Sequence, residues 1–190
     1  MKVASRRAPA VALALAVLVA LAGCAVDVSP GSDTTPTAGE RTATVVEVVD
    51  GDTLDVRFAD GSEDRVRLLG VDTPEVHGDN SPGEFEGVPD TEAGRTCLAD
   101  WGGRATAFAE DRLAGETVVV ETDAEADRRG GYDRLLAYVT VEGGDESFNR
   151  ALLADGYARL YDTEFTQRDA FAATERSAME NGTGLWACAS

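Results

Sequence analysis

Four acidic side chains stand in two short runs, Asp50-Gly51-Asp52-Thr53 and Val71-Asp72-Thr73-Pro74-Glu75, and Arg67 precedes the second. Brought together, four carboxylates repel one another unless some take up protons or a cation lies among them. The cation such a cluster selects is hard and divalent, calcium or magnesium rather than zinc, because the donors are all oxygen and no Cys or His accompanies them. An arginine beside that ion suits an anion with several oxygens, since its planar fork binds phosphate bidentately and stays charged at any working pH. Glu75 follows Asp72 by three residues, near enough for a metal-proximal base and separate enough not to be forced into ligation. Together these residue types can hydrolyse a phosphodiester, which needs an attacking water, neutralisation of charge on the phosphate and support for the leaving oxygen.

The elements that must position them are strands. Residues 42–49 and 53–58 are β-rich runs around the Asp-Gly turn, and 66–71 reads as a third strand. Asp72-Thr73-Pro74 ends that strand, because proline offers no ladder N–H and restricts the residue before it. Asp-Gly turns and Asp-Thr-Pro strand ends are common structural devices, so neither run alone signifies chemistry. A third run, Tyr132-Asp133-Arg134-Leu135-Leu136-Ala137-Tyr138, supplies a second arginine at a strand start. Further strands are expected at 117–122 and 136–141, with 123–131 a charged loop between them. Helices are expected at 97–113, where Leu98, Trp101, Ala105 and Phe108 share a face, at 147–155 and at 166–180. That face makes Trp101 a core residue rather than a base-stacking platform, and Trp186 is expected to pack back onto the strands. The fold class is mainly β with α, an α+β domain of five strands and about three helices.

The three runs, in this order, resemble the signatures of the staphylococcal nuclease (thermonuclease) family, and the likeness extends from about Thr42 to Trp186. The resemblance implies an OB-type Greek-key barrel. It implies calcium held by Asp52, Asp72 and the Thr73 carbonyl, with Asp50 a supporting acid. Glu75 is then the residue that orients or deprotonates the attacking water, Arg67 and Arg134 hold the scissile phosphate, and Tyr132 and Tyr161 line the nucleotide pocket. The implied activity is a calcium-dependent nuclease acting on DNA, with RNA left open, and the alternative is a non-catalytic OB-fold module that binds nucleic acid or calcium.

Two departures stand out. Asp133 occupies a position where the family usually has glycine, and its carboxylate either pairs with Arg134 or points to solvent. Residues 76–95 make a longer loop than the family pattern suggests, rich in turn formers, and either cover the site or hold a second ion. His77, the only histidine, is read as a solvated loop residue, which excludes a Ser/His/Asp triad.

Residues 1–23 read as an export signal, with Lys2, Arg6 and Arg7 before an apolar run too short to span comfortably. Leu21-Ala22-Gly23-Cys24 resembles a lipobox, with Cys24 lipidated, and 24–40 is a flexible Ser/Thr/Pro/Gly tether leading to a domain over 41–190. The expectation is an exported, monomeric lipoprotein anchored in the cytoplasmic membrane with its domain outside. Cys97 and Cys188 are then an even pair in an oxidising compartment and a candidate disulfide. The net charge is −18, and removal of three positive charges with residues 1–23 takes it to −21; Lys2 is the only lysine. A polyanion-binding protein is normally basic. Either the protein works in concentrated salt, as a halophile's would, where screening leaves only short-range attraction, or nucleic acid is not its ligand.

Overall fold

The computed structural model describes residues 39–76 and 80–189. The expected export signal, Cys24 and His77 lie outside the described residues, as do all but the last two residues of the tether.

Among the described residues seven strands form two sheets: β1 (Glu40–Asp50), β2 (Thr53–Phe58), β3 (Glu63–Leu68), β4 (Val71–Asp72), β5 (Thr117–Glu121), β6 (Leu135–Val141) and β7 (Arg159–Leu160). Five of them close into a barrel in the order β1-β2-β3-β6-β5, as expected of an OB-type fold. Pairing is antiparallel except between β3 and β6, where Arg67 lies opposite Leu136. Alternate residues fill the barrel: Ala43 and Val45, Leu54 and Val56, Val66 and Leu68, Val118 and Val120, Ala137 and Val139 are all buried. Three helices cover it, α1 (Glu92–Leu113), α2 (Phe148–Ala154) and α3 (Arg168–Glu180). Asn149 of α2, fully buried, accepts from the Val139 N–H at 3.0 Å and donates to the Leu69 and Ala137 carbonyls at 3.0 and 3.1 Å. It thereby satisfies backbone groups where β3 leaves the barrel beside β6.

Several element readings are corrected. The strand expected over 66–71 breaks after Leu68: Gly70 adopts φ +74, and a Cβ there would lie 2.5 Å from the Phe165 ring. The chain turns and resumes as β4, which pairs with β7 outside the barrel as a two-stranded ribbon. Helix α1 starts at Glu92 instead of 97, because the Thr91 hydroxyl caps it by accepting from the Gly94 N–H at 3.2 Å. Residues 80–95 are accordingly not an irregular loop throughout: they include a 3-10 turn (Pro82–Glu84) and bury Asn80, Pro82, Phe85 and Val88. Trp186 packs away from the barrel, in a second cluster with Phe85, Val88, Leu98, Ala178, Leu185 and Cys188. Trp101 is only partly buried, edge-on to Tyr157 with centroids 5.7 Å apart. Cys97 and Cys188 form a disulfide that joins α1 to the C-terminal 3-10 turn (Gly184–Ala189).

Candidate active site

The β1–β2 turn delivers the first acid. Asp50 Oδ1 accepts from the Asp52 N–H at 3.0 Å, which makes Asp50 part of the turn itself. Asp52 is buried beneath it, where its Oδ2 accepts from the Thr73 N–H at 2.8 Å and the Thr73 hydroxyl at 3.0 Å. Oδ1 accepts from the Thr53 hydroxyl at 3.2 Å. Burial pushes the Asp52 carboxyl up to about 7, opposed by the Arg67 charge and the Thr73 hydrogen bond.

Arg67, on β3, bridges the two expected metal carboxylates. Its guanidinium makes ion pairs with Asp52 at 2.9 Å and Asp72 at 2.7 Å and donates to the Val71 carbonyl at 2.8 Å. Asp72, on β4, also pairs with Arg159 of β7 at 2.8 Å.

Glu75 is exposed and lines the same cleft. Its backbone is fixed even though its side chain is free to reach solvent. Buried Asn80 accepts from the Glu75 N–H at 2.8 Å and donates to the Glu75 carbonyl at 2.9 Å. Small residues of α1 lie directly below: a Cβ on Gly102 would meet the Pro74 carbonyl at 2.4 Å, and one on Gly51 would meet Ala105 at 2.7 Å. Helix α1 is therefore the platform on which both acidic turns rest.

Arg134 enters the cleft from the loop before β6, with its Nε donating to the Gly131 carbonyl at 3.0 Å. The turn ahead of it holds Tyr132 and Asp133 in left-handed conformations, φ 59 and 60, which non-glycine residues adopt at a cost. Asp133 neither pairs with Arg134 nor stands wholly alone; it makes a loose 3.5 Å contact with Arg129, which is anchored on Asp64 at 2.7 Å. Tyr161 lines the cleft. Tyr132 does not: it is 97% exposed and lies outside the lining, with the Arg134 guanidinium 5.7 Å from its ring. The cleft, about 720 Å³, brings Asp50, Asp52, Arg67, Asp72, Thr73, Glu75, Arg134 and Tyr161 to one place.

Residues 65–188 match the family described as staphylococcal nuclease homologue. The chain belongs to the staphylococcal nuclease family. It is 30% identical over 151 residues to a thermonuclease of Staphylococcus hyicus, covering 78% of each chain. It is 44% identical over 147 residues to an uncharacterized protein of Methanocaldococcus jannaschii, covering 75% of this chain and 70% of that one. An endonuclease of Bacillus subtilis is 32% identical over 146 residues, 75% of this chain and 60% of its own.

Membership of the staphylococcal nuclease family implies calcium, and the donors at hand can be tested against that ion. Among the described residues no three Asp, Glu, His or Cys side chains come together closely enough to hold a metal ion by themselves. The expected convergence of four carboxylates is thus reduced to Asp52 and Asp72, with Arg67 between them. Two carboxylates and the Thr73 carbonyl are an all-oxygen set, and a hard ion completes its shell with waters or phosphate oxygens. A cation would also offset the burial that raises the Asp52 carboxyl. The residues fit calcium on chemistry. Arg159, Asn80 and the α1 platform of Gly102 and Ala105 escaped the sequence reading because they belong to none of the three runs and reach the site only through long-range pairing.

Proposed function

We propose that the protein is a calcium-dependent nuclease that hydrolyses phosphodiester bonds of DNA, with RNA as a second substrate to be tested. The observation that supports this most is the single cleft in which Arg67, Glu75 and Arg134 stand beside Asp52 and Asp72. Asp52, Asp72 and the Thr73 carbonyl would hold calcium, which when bound would supply Lewis-acid neutralisation of the phosphate charge. Glu75, exposed on a fixed backbone, accepts a proton from the attacking water at its carboxylate. Arg134, which has no ion pair among the described residues, binds a non-bridging phosphate oxygen and supports the growing charge. Arg67 spends both terminal nitrogens on Asp52 and Asp72, so its remaining N–H groups serve the phosphate while it keeps the carboxylates in register. Tyr161 offers an aromatic wall to a nucleotide.

The N-terminal sequence supports an exported lipoprotein, anchored through Cys24 to the outer face of the cytoplasmic membrane, and the acidic, lysine-poor composition supports a saline habitat. The protein acts as a monomer in this reading. Purified protein is expected to cleave single- or double-stranded DNA in molar salt with calcium, to stop with a chelator, and to lose most turnover in Glu75→Gln. The second reading, an OB-fold binding module without catalysis, is favoured by the engagement of Arg67 with two carboxylates. Nucleic acid bound in calcium without cleavage, under conditions where the protein is folded, selects it.

A further inference from the structure

Asp72 is gripped from two sides. Its Oδ1 lies 2.7 Å from Arg67 and its Oδ2 2.8 Å from Arg159. Arg67 belongs to the cleft, whereas Arg159 is absent from the cleft lining and approaches from behind, along the β4–β7 ribbon, where the ladder sets it directly opposite Asp72. The same terminal nitrogen reaches Glu84 on the 3-10 turn at 3.2 Å. The guanidinium stands 5.4 Å from the buried Phe85 ring and 5.9 Å from the Tyr161 ring. With its side chain 18% exposed, Arg159 is held by two other stretches of chain, β4 and the 3-10 turn. Its Nε is buried and donates to no described group.

We propose that Arg159 is a positioning residue for the cation site: it fixes the rotation of the Asp72 carboxylate so that the remaining lone pairs face the cleft beside Asp52. The proposal rests on the reading of that cleft as a calcium site. Two effects oppose each other. As a positive charge, Arg159 repels a cation, and its loss would tighten binding; as a clamp, it spares Asp72 the ordering that binding otherwise imposes, and its loss would weaken binding. Glu84, 3.2 Å away, weighs against the repulsion, because its carboxylate offsets part of the arginine's charge and leaves the directional grip. Groups that orient a metal ligand in this way typically change affinity by about 10–100-fold when removed. Lysine keeps the charge but is shorter and lacks the planar head that carries one terminal nitrogen to both Asp72 and Glu84.

The test is calorimetric titration of calcium into the full-length protein and its Arg159→Lys and Arg159→Met variants in molar salt, with melting temperature as the check on folding. Both variants are expected to bind calcium about tenfold more weakly or worse, the lysine failing to rescue. Glu84→Gln, a change on an exposed side chain, is expected to give a smaller weakening with the fold intact, and it serves if the Arg159 variants do not fold. Arg159→Met binding as tightly as wild type, or tighter, overturns the positioning role while leaving the nuclease reading in place. Wild-type protein that binds no calcium overturns both. Wild-type affinity in Glu84→Gln, should neither Arg159 variant fold, also overturns the positioning role.

Discussion

Arg67 and Arg134 serve one anion in the proposed chemistry but differ in what the fold asks of them. Arg67 is 13% exposed between Asp52 at 7% and Asp72 at 22%, so its removal strands a buried carboxylate. Losing one partner of such a pair costs about 3–5 kcal/mol, whereas a substitution away from buried pairs usually stays within about 0.5 kcal/mol. Arg67→Met is therefore expected to lower both activity and urea-unfolding stability, the latter by about 3–5 kcal/mol, and Arg134→Met to abolish turnover while leaving the unfolding midpoint nearly unmoved. Equal midpoints for the two variants would show that Asp52 does not depend on its arginine. Asp123 gives a pH prediction. Burial works to raise its carboxyl, but hydrogen bonds from the Tyr138 hydroxyl at 2.7 Å, the Glu125 N–H at 2.8 Å and Thr166 outweigh it and hold the group below its ordinary 3.8. A carboxyl lowered in the folded state contributes stability above its unfolded value and loses it as pH falls through the folded one. Thermal melts of Asp123→Asn should accordingly show a lower plateau near neutrality and a shallower decline below about pH 4 than wild type.

Helix α1 illustrates how an element can matter to a site without contributing a reactive group. Gly102 and Ala105 let the Pro74-Glu75 backbone and the Asp50-Gly51-Asp52 turn lie against it. Alanine at 102 would favour the isolated helix by about 1 kcal/mol, but its Cβ would fall 2.4 Å from the Pro74 carbonyl, where backbone must move. Gly102→Ala is expected to remain folded and lose turnover through displacement of Glu75, read as a fall in kcat larger than any change in calcium affinity. This platform was not legible in the sequence, because Gly102 and Gly103 look alike there and only the first meets another segment. The barrel strands were legible, since Asp-Gly between alternating runs encodes a local hairpin. The break at Gly70 was hidden because Val66, Leu68, Leu69 and Val71 on both sides of it read as one strand, and the first turn of α1 by Gly94-Arg95-Thr96, which carries no apolar period. Asp52, Arg67, Asp72, Glu75 and Arg134 could be named from local motifs, whereas Arg159 lies opposite Asp72 only through a two-residue ladder that no local pattern encodes. The family resemblance implies Tyr132 in the nucleotide pocket, whereas here it adopts a left-handed backbone and its side chain stands in solvent.

At the scale of the molecule the proposed substrate and the protein repel each other. The net charge is −18, and the cleft itself is lined by Asp50, Asp52, Asp72, Glu75, Glu125, Asp127 and Glu164 against Arg67, Arg129 and Arg134. Of those arginines, Arg67 and Arg129 are already committed to carboxylates. An ordinary nucleic-acid enzyme weakens as salt displaces its phosphate contacts. Here the long-range term has the opposite sign, and it reaches about 10 Å at 0.1 M salt but only about 3 Å at 1 M. Short-range contacts from Arg134 and a bound cation survive that screening, so kcat/KM on DNA is expected to rise between 0.1 and 1 M sodium chloride at saturating calcium. Glu125→Gln combined with Asp127→Asn, two exposed acids at the cleft mouth, should raise the low-salt value and leave the molar-salt value almost unchanged. Melting temperature must be followed in parallel, because self-repulsion at this charge also relaxes with salt. A kcat/KM that rises only where the melting curve shows refolding would assign the effect to stability. A rise within the fully folded range would assign it to approach of the substrate, and a steady fall would mean that local phosphate contacts outweigh the field of the whole protein.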